Sequence, residues 1–231
     1  MVENHLSRLA APKSWQIKKK GIKWVAKPLP GPHPIKLGVP LLIIFRDLLN
    51  YAKTSKEVKT MLYNNEIFVD GKRRKEPKFI VGLMDVISVP KTKTYFRVLL
   101  SRKGKISVVG IKEDEINTKP CQIIGKRLLK KGKLQLNLFD GKNILVEKDD
   151  YEVGDTVLIE LPSQKIKEVF KFQKSSLIYL TGGKHTGEVG VIENIKEDTV
   201  VYKRDKSTFE TLKEYVFVIG KNKPIISLLE K

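Results

Sequence analysis

The chain has 231 residues and a hydrophobic share of 41%, enough for one to three ordinary domains and too much for a wholly disordered polymer. Its 45 Lys and Arg against 26 Asp and Glu leave a net charge of +19 and a pI near 9.8, an excess that repels itself in the folded state until a polyanion neutralises it. Nucleic acid is the commonest such partner, and a membrane is disfavoured because the best apolar run, Val39 to Phe45, carries Pro40 and falls far short of the roughly 18 residues that span a bilayer.

The N-terminus shows no apolar leader, so no signal peptide is expected. Cys121 is the sole cysteine and cannot close an intramolecular disulfide, which fits a reducing cytosol. Residues 1–39 form a first segment. Residues 1–38 hold eight Lys or Arg against one acid, Glu3, and Pro28, Pro30, Pro32 and Pro34 crowd one stretch. Proline fixes φ and lacks an amide donor, so the arm is expected to stay extended and to order only against something else. Arg8, Lys13, Lys18, Lys19, Lys20 and Lys23 supply cations for phosphates. Trp15 and Trp24, set among them with His5, can stack on unpaired bases or tuck into the body. The spacing does not decide which does which.

Residues 40–92 read as two helices followed by strands. Leu41, Leu42, Phe45, Leu48 and Leu49 recur at helical spacing over Leu41–Tyr51. Thr54 or Ser55 caps a second helix, Lys56–Tyr63, with Glu57 near its start. Asn64 and Asn65 stop it. Ile67–Val69 reads as a strand, Asp70-Gly71 as a tight turn, and Asp85–Val89 as a closing strand. Arg46, Lys53, Lys56, Lys59 and the run Lys72, Arg73, Arg74, Lys75 can form one basic face suited to a structured RNA. Singly, each is an ordinary solvated cation.

Residues 93–172 are strand-rich, with strands expected at 95–101, 106–111, 133–139, 143–146 and 156–161 and turns at Lys103-Gly104, Asp140-Gly141 and Gly154-Asp155. Short strands with tight turns point to a small antiparallel barrel or sandwich. Residues 173–231 repeat this on a smaller scale, with strands at 177–180, 190–195, 199–202 and 215–218. Between the first two lies a loop with glycines at 182, 183, 187 and 190. It fails the P-loop pattern, because Lys184 follows the second glycine at once and no helix follows. It is either a tight turn or a loop whose backbone meets RNA, with Lys184 and His185 as its contacts. Its glycines mark a sharp bend or a close backbone approach, and Val at 190 would be strained if φ there is positive.

Catalytic and metal chemistry find little support. His5, His33, His185 and Cys121 lie far apart, without CxxC or HExxH spacing, and no nucleophile sits beside a base in a known motif. Cys121 reads as a half-buried filler. Asp114, Glu115, Asp149 and Asp150 read as solvated turns.

Three of these segments resemble one family. His5-Leu6-Ser7-Arg8-Leu9-Ala10-Ala11-Pro12-Lys13-Ser14-Trp15 is similar to the opening signature of the S4e family of small-subunit ribosomal proteins in archaea and eukaryotes, with Ser7 where that family usually has Lys. Residues 40–92, with Ile67-Phe68-Val69-Asp70-Gly71-Lys72, resemble the RNA-binding fold named after bacterial ribosomal protein S4. Gly183 to Gly190 resembles a KOW motif, with Gly190 at its most characteristic glycine. The resemblance implies an α+β, multi-domain chain with four parts. These are an extended basic arm, an S4-type helical RNA-binding fold, a central antiparallel β-domain and a C-terminal SH3-like KOW barrel. It implies a structural constituent of the cytoplasmic small ribosomal subunit, with ribosomal RNA and neighbouring ribosomal proteins as partners. It implies no catalysis, cofactor, metal, membrane or small-molecule substrate. Length and Lys-rich character suggest an archaeal member.

Two rivals stand beside it. S4-type folds also accompany pseudouridine synthases, whose R-L-D stretch is absent from this sequence. KOW motifs also occur in transcription and translation factors, which cycle on and off their partners.

Overall fold

The computed structural model describes residues 5–64, 66–204, 207–221 and 223–228, with the side chain of Lys131 left aside. The chain divides into two compact units, residues 1–99 with 105–116, and residues 100–104 with 117–231. Most regular structure is antiparallel strand.

The first unit contains a two-stranded ribbon, β1 (Leu6–Ser7) with β2 (Trp24–Val25). Next come β3 (Gly38–Pro40), the short helix α1 (Leu41–Ile43) and a wider π-type turn over Ile44–Leu48. The sequence predicts one helix to Tyr51, but it ends early. Leu49 donates to the Ile44 carbonyl five residues back, and Asn50 takes a left-handed φ of 54°, a conformation Asn tolerates and which stops the helix. Leu41 to Phe45 are all buried, so this run is swallowed whole and does not present one face.

Helix α2 (Ser55–Asn64) buries Val58 and Leu62. The Glu57 amide donates to Thr54 Oγ1 at 3.2 Å and the Glu57 carboxylate accepts from the Lys53 amide at 2.7 Å, a reciprocal cap that fixes where the helix starts. Those bonds hold the Glu57 pKa below its ordinary value, the Lys53 amide foremost.

Strands β4 (Phe68–Val69) and β5 (Lys72–Arg73) form the hairpin expected from Asp70-Gly71. Both turn residues have positive φ, 51° and 72°, as a type I′ turn requires. The short β6 (Ile80–Gly82) pairs with β3. A five-stranded sheet then runs in the order β5, β4, β7 (Val86–Val89), β8 (Thr94–Leu100), β9 (Ile106–Gly110). Strands β8 and β9, read from sequence as the start of the central domain, therefore complete the sheet of the helical segment.

The arm also departs from expectation. Trp15 is 2% exposed, and its Nε1 donates to the carbonyls of Gly38 at 2.9 Å and Ile35 at 3.2 Å. Ser14 Oγ donates to the Lys36 carbonyl at 2.7 Å. Buried His33 meets both Asp85 carboxylate oxygens at 2.9 and 3.0 Å. The arm is thus folded against its own unit: apolar burial and satisfied carbonyls offset the proline-rich backbone's lack of ladder bonds.

The second unit holds two five-stranded antiparallel sheets. One runs β12 (Asn143–Val146), β11 (Leu134–Leu138), β10 (Thr118–Leu128), β13 (Thr156–Glu160), β14 (Ile166–Phe170). The other runs β18 (Ser207–Leu212), β17 (Thr199–Arg204), β16 (Val189–Ile195), β15 (Leu177–Leu180), β19 (Val216–Gly220). Leu158 and Phe170 from the first join Ile178, Leu180, Ile192, Val200, Tyr202, Val216 and Val218 from the second in one core. Cys121 is fully buried in β10, not half-buried. Lys119 and Asp140 pair at 2.9 Å with both side chains wholly buried. Burial works to raise the Asp140 pKa, but Lys119 and Lys142 outweigh it and bring it to about 2.

Candidate nucleic-acid interface

The first unit gathers expected cations from distant parts of the sequence. Arg8, Ile22, Arg46, Asp47, Asn50, Ala52 and Lys53 line one cleft of about 490 Å³. The arm supplies Arg8, and the π-type turn and the loop after it supply Arg46 and Lys53. Arg8 is partly committed, because Nε donates to the Ile22 carbonyl and Nη1 to the Lys18 carbonyl, both at 2.9 Å. Arg46 forks onto Asp47 at 2.8 and 3.1 Å and reaches Ser55 Oγ at 3.3 Å. Asp47 faces two guanidiniums and an exposed ammonium in the cleft, and Glu57 stands beside the Lys53 backbone, so three cations against two carboxylates leave a net positive site of a size that admits a phosphate.

Elsewhere on the arm Lys13, Lys18, Lys20 and Lys23 are exposed. Lys19, though exposed, turns its ammonium back to the Ala11 carbonyl at 3.1 Å, so it fastens the arm as well as charging it. Trp15 has no free ring face and leaves the candidate interface. Trp24 is the accessible tryptophan, 47% exposed, with Lys23 Nζ 4.9 Å from its ring centre.

A second group forms where the end of α2 meets the β4–β5 hairpin. Arg73 donates to the Tyr63 carbonyl at 3.3 Å and lies 3.9 Å from Glu66. Lys75 sits 5.9 Å from the Tyr63 ring, and Lys91 donates to the Asn64 carbonyl at 2.7 Å. These are cations at a helix C-terminus, where the backbone dipole favours them. Lys56, Lys59 and Lys72 are exposed nearby in sequence. Arg74 differs: half-buried, it stacks on Phe79 at 4.2 Å and serves packing first. Lys91 and Tyr63 were missed in the sequence. Tyr63 ends the helical stripe on its polar side, the only hint it gave.

The glycine loop lies in the second unit. A Cβ on Gly182 would come within 2.4 Å of the Tyr215 ring, and one on Gly187 within 2.6 Å of the Ser101 backbone. Gly190 is required for the same reason, not for a positive φ: its Cβ would fall 2.5 Å from the Tyr202 ring. Lys184 is exposed at the tip. His185 Nδ1 is 3.0 Å from Glu188, and its ring packs 4.5 Å from Phe209. Burial alone would raise the Glu188 pKa, but Arg204 and His185 outweigh it and lower it. Lys184 is thus available to a ligand, while His185 is already engaged.

Among the described residues no group of three or more His, Cys, Asp or Glu is placed to hold a metal ion, and no helix is long and apolar enough to cross a membrane.

Comparison with known proteins agrees along the chain. The family described as "Ribosomal family S4e" matches residues 92–166, and the "RS4NT (NUC023) domain" matches residues 2–36. The chain is 44% identical to the small ribosomal subunit protein eS4 of Methanosphaera stadtmanae, over 97% of this chain and 95% of that one. Its identity to the eS4 of Methanothermobacter thermautotrophicus is 43%, with the same coverage. The crystal structure of the 30S ribosomal protein S4e from Thermoplasma acidophilum superposes with a TM-score of 0.71 at 30% identity, covering 80% of this chain and 96% of that one.

Proposed function

Because this chain belongs to ribosomal family S4e, we propose that it is a structural constituent of the small ribosomal subunit, held there by ribosomal RNA bound to its first unit. The role is non-catalytic, its place is the cytoplasmic ribosome, and its partners are ribosomal RNA and neighbouring ribosomal proteins. The relatives named above are archaeal, in line with the composition. The observation that carries the RNA contact is the cleft joining Arg8, Arg46 and Lys53. Segments far apart in sequence place two guanidiniums and an ammonium around one concavity.

The mechanism is electrostatic. Cations neutralise phosphates and release their counterions, so log K falls with log salt by about 0.9 per duplex phosphate and about 0.7 per single-strand phosphate. Lys13, Lys18, Lys20, Lys23, Lys56, Lys59, Lys72, Arg73 and Lys75 extend the contact over the arm and hairpin. In the finer reading, residues 40–92 form an S4-type RNA-binding fold and residues 173–231 an SH3-like KOW barrel. Support comes from the helix-then-hairpin order of the first segment. It also comes from the glycine loop joining β15 to β16 in a five-stranded antiparallel sheet, with Lys184 at its tip.

The test is filter binding of a small-subunit ribosomal RNA transcript across a salt series. Wild type should show a steep negative slope. The double variant Arg46→Ala, Lys53→Ala should bind more weakly with a slope shallower by about 2, roughly one unit per lost phosphate contact. An unchanged slope would remove the cleft from the interface.

A further inference from the structure

Outside the cationic cleft, the feature that the phosphate mechanism leaves unused is the aromatic end of the arm ribbon. His5, Leu6, Ser7, Ala10 and Trp24 line a concavity of about 510 Å³ whose walls are more apolar than polar. In water, such an exposed indole is a cost unless something covers it. We infer that Trp24 and His5 form a stacking site for one unpaired nucleobase of the bound RNA. This rests on the proposed RNA-binding role and adds a base contact to it.

Three observations carry the assignment. The β1–β2 ribbon fixes Trp24 opposite Ser7, while the same residue's neighbour Val25 is buried. The indole is thus held outward by the pleat and is not free to fold in. The His5 and Trp24 rings lie 5.2 Å apart at 59°, a tilted pair already in contact, so together they form one aromatic wall of the concavity with no slot between them. Lys23 Nζ stands 4.9 Å from the indole centre. A base laid on that wall takes the indole face that Lys23 now covers, and the ammonium passes to that nucleotide's own phosphate. An apolar surface of a neighbouring protein would gain nothing from Lys23. A nucleotide uses ring and cation together.

The experiment compares the full-length chain with Trp24→Ala and Trp24→Phe on a small-subunit ribosomal RNA transcript, by affinity, salt slope and tryptophan emission. Stacking on an aromatic side chain makes Trp24→Ala weaker by between about fivefold and about 150-fold, while Trp24→Phe keeps most of the affinity. The salt slope stays at the wild-type value in Trp24→Phe and becomes shallower by at most about 0.7 in Trp24→Ala, the one Lys23–phosphate contact that the stacked nucleotide brings. RNA quenches the solvent-exposed indole of wild type, and that quench vanishes in Trp24→Phe, which retains buried Trp15. Trp24→Ala binding within twofold of wild type, with no quench of wild-type emission by RNA, overturns the stacking site. If Arg46→Ala, Lys53→Ala still weakens binding in that case, the RNA-binding role survives alone. Normal binding of naked RNA by Trp24→Ala with failure to enter small subunits overturns it in favour of a protein contact. Wild type that ignores the transcript overturns both readings.

Discussion

Replacing Gly190 with Val tests how the second unit is built. Gly190 pairs with Ile178 in the middle of the C-terminal sheet. A Cβ there would stand 2.5 Å from Tyr202 Cδ2 and 3.0 Å from the Lys203 carbonyl, both inside van der Waals contact. Tyr202 is fully buried in the core with Ile192 and Val218, so its ring has nowhere to retreat. Val adds two further methyls to the same space. Inserting such groups into a packed core costs about 1–3 kcal/mol, and with the Lys203 carbonyl also displaced the upper end applies. For a unit of this size that lowers the melting temperature by roughly 10 °C. Thermal unfolding followed by near-UV circular dichroism reads it directly, and Gly190→Ala should fall between wild type and Val. A melting temperature within a degree of wild type would show that the sheet is not packed this way at Tyr202.

Other outcomes follow from the same structure. Lys72→Ala, Arg73→Ala, Arg74→Ala together should weaken ribosomal RNA binding and flatten the salt slope. Losing the Arg74–Phe79 stack costs about 1 kcal/mol of stability at most, and a slope equal to wild type would exclude the hairpin from the contact. Trp15→Phe should destabilise the first unit by about 1–3 kcal/mol, because the Gly38 and Ile35 carbonyls lose their buried donor, while RNA affinity of the folded protein stays put. Equal urea midpoints for the two proteins would contradict that anchoring. The Asp140 carboxyl, depressed from 3.8 to about 2, contributes stability above the unfolded pKa and loses it as pH falls through the folded one. About 2 kcal/mol should therefore disappear between about pH 4 and pH 2. Lys119→Met, Asp140→Leu should remove that part of the acid sensitivity without stranding a wholly buried charge, since the Lys142 side chain, which also pairs with Asp140, is 21% exposed and can turn to water. An unaltered acid profile in the double variant would refute the assignment.

Much of this was legible in the sequence where local chemistry decides. Asp70-Gly71 specified its hairpin because that dipeptide favours a type I′ turn, and Thr54 with Glu57 specified the start of α2. Strand β10 was not among the strands expected from sequence, and it contains Pro120 and Gly125, two residues that weaken a strand pattern. In the fold Gly125 marks a bulge in the pairing with β11. Ile123 donates to Asp155 across the β13 ladder, so the even-numbered Pro120 turns its missing donor to the other side, where β11 has not begun to pair. The two tryptophans were indistinguishable by composition. Carbonyls of Ile35 and Gly38, some twenty residues downstream, capture Trp15, and no local window contains them. The same holds for the arm cleft: Arg8 and Arg46 meet through tertiary packing, so charge announced a polyanion but not the place where it binds.

The account is tested most directly by a sucrose gradient of lysate from cells expressing the chain at its natural level, with the protein followed by antibody. It predicts one peak with free small subunits and another with whole ribosomes, retained after a high-salt wash, and almost nothing at the top of the gradient. Protein found chiefly in the light fractions, with ribosomes lacking it, would contradict the central claim.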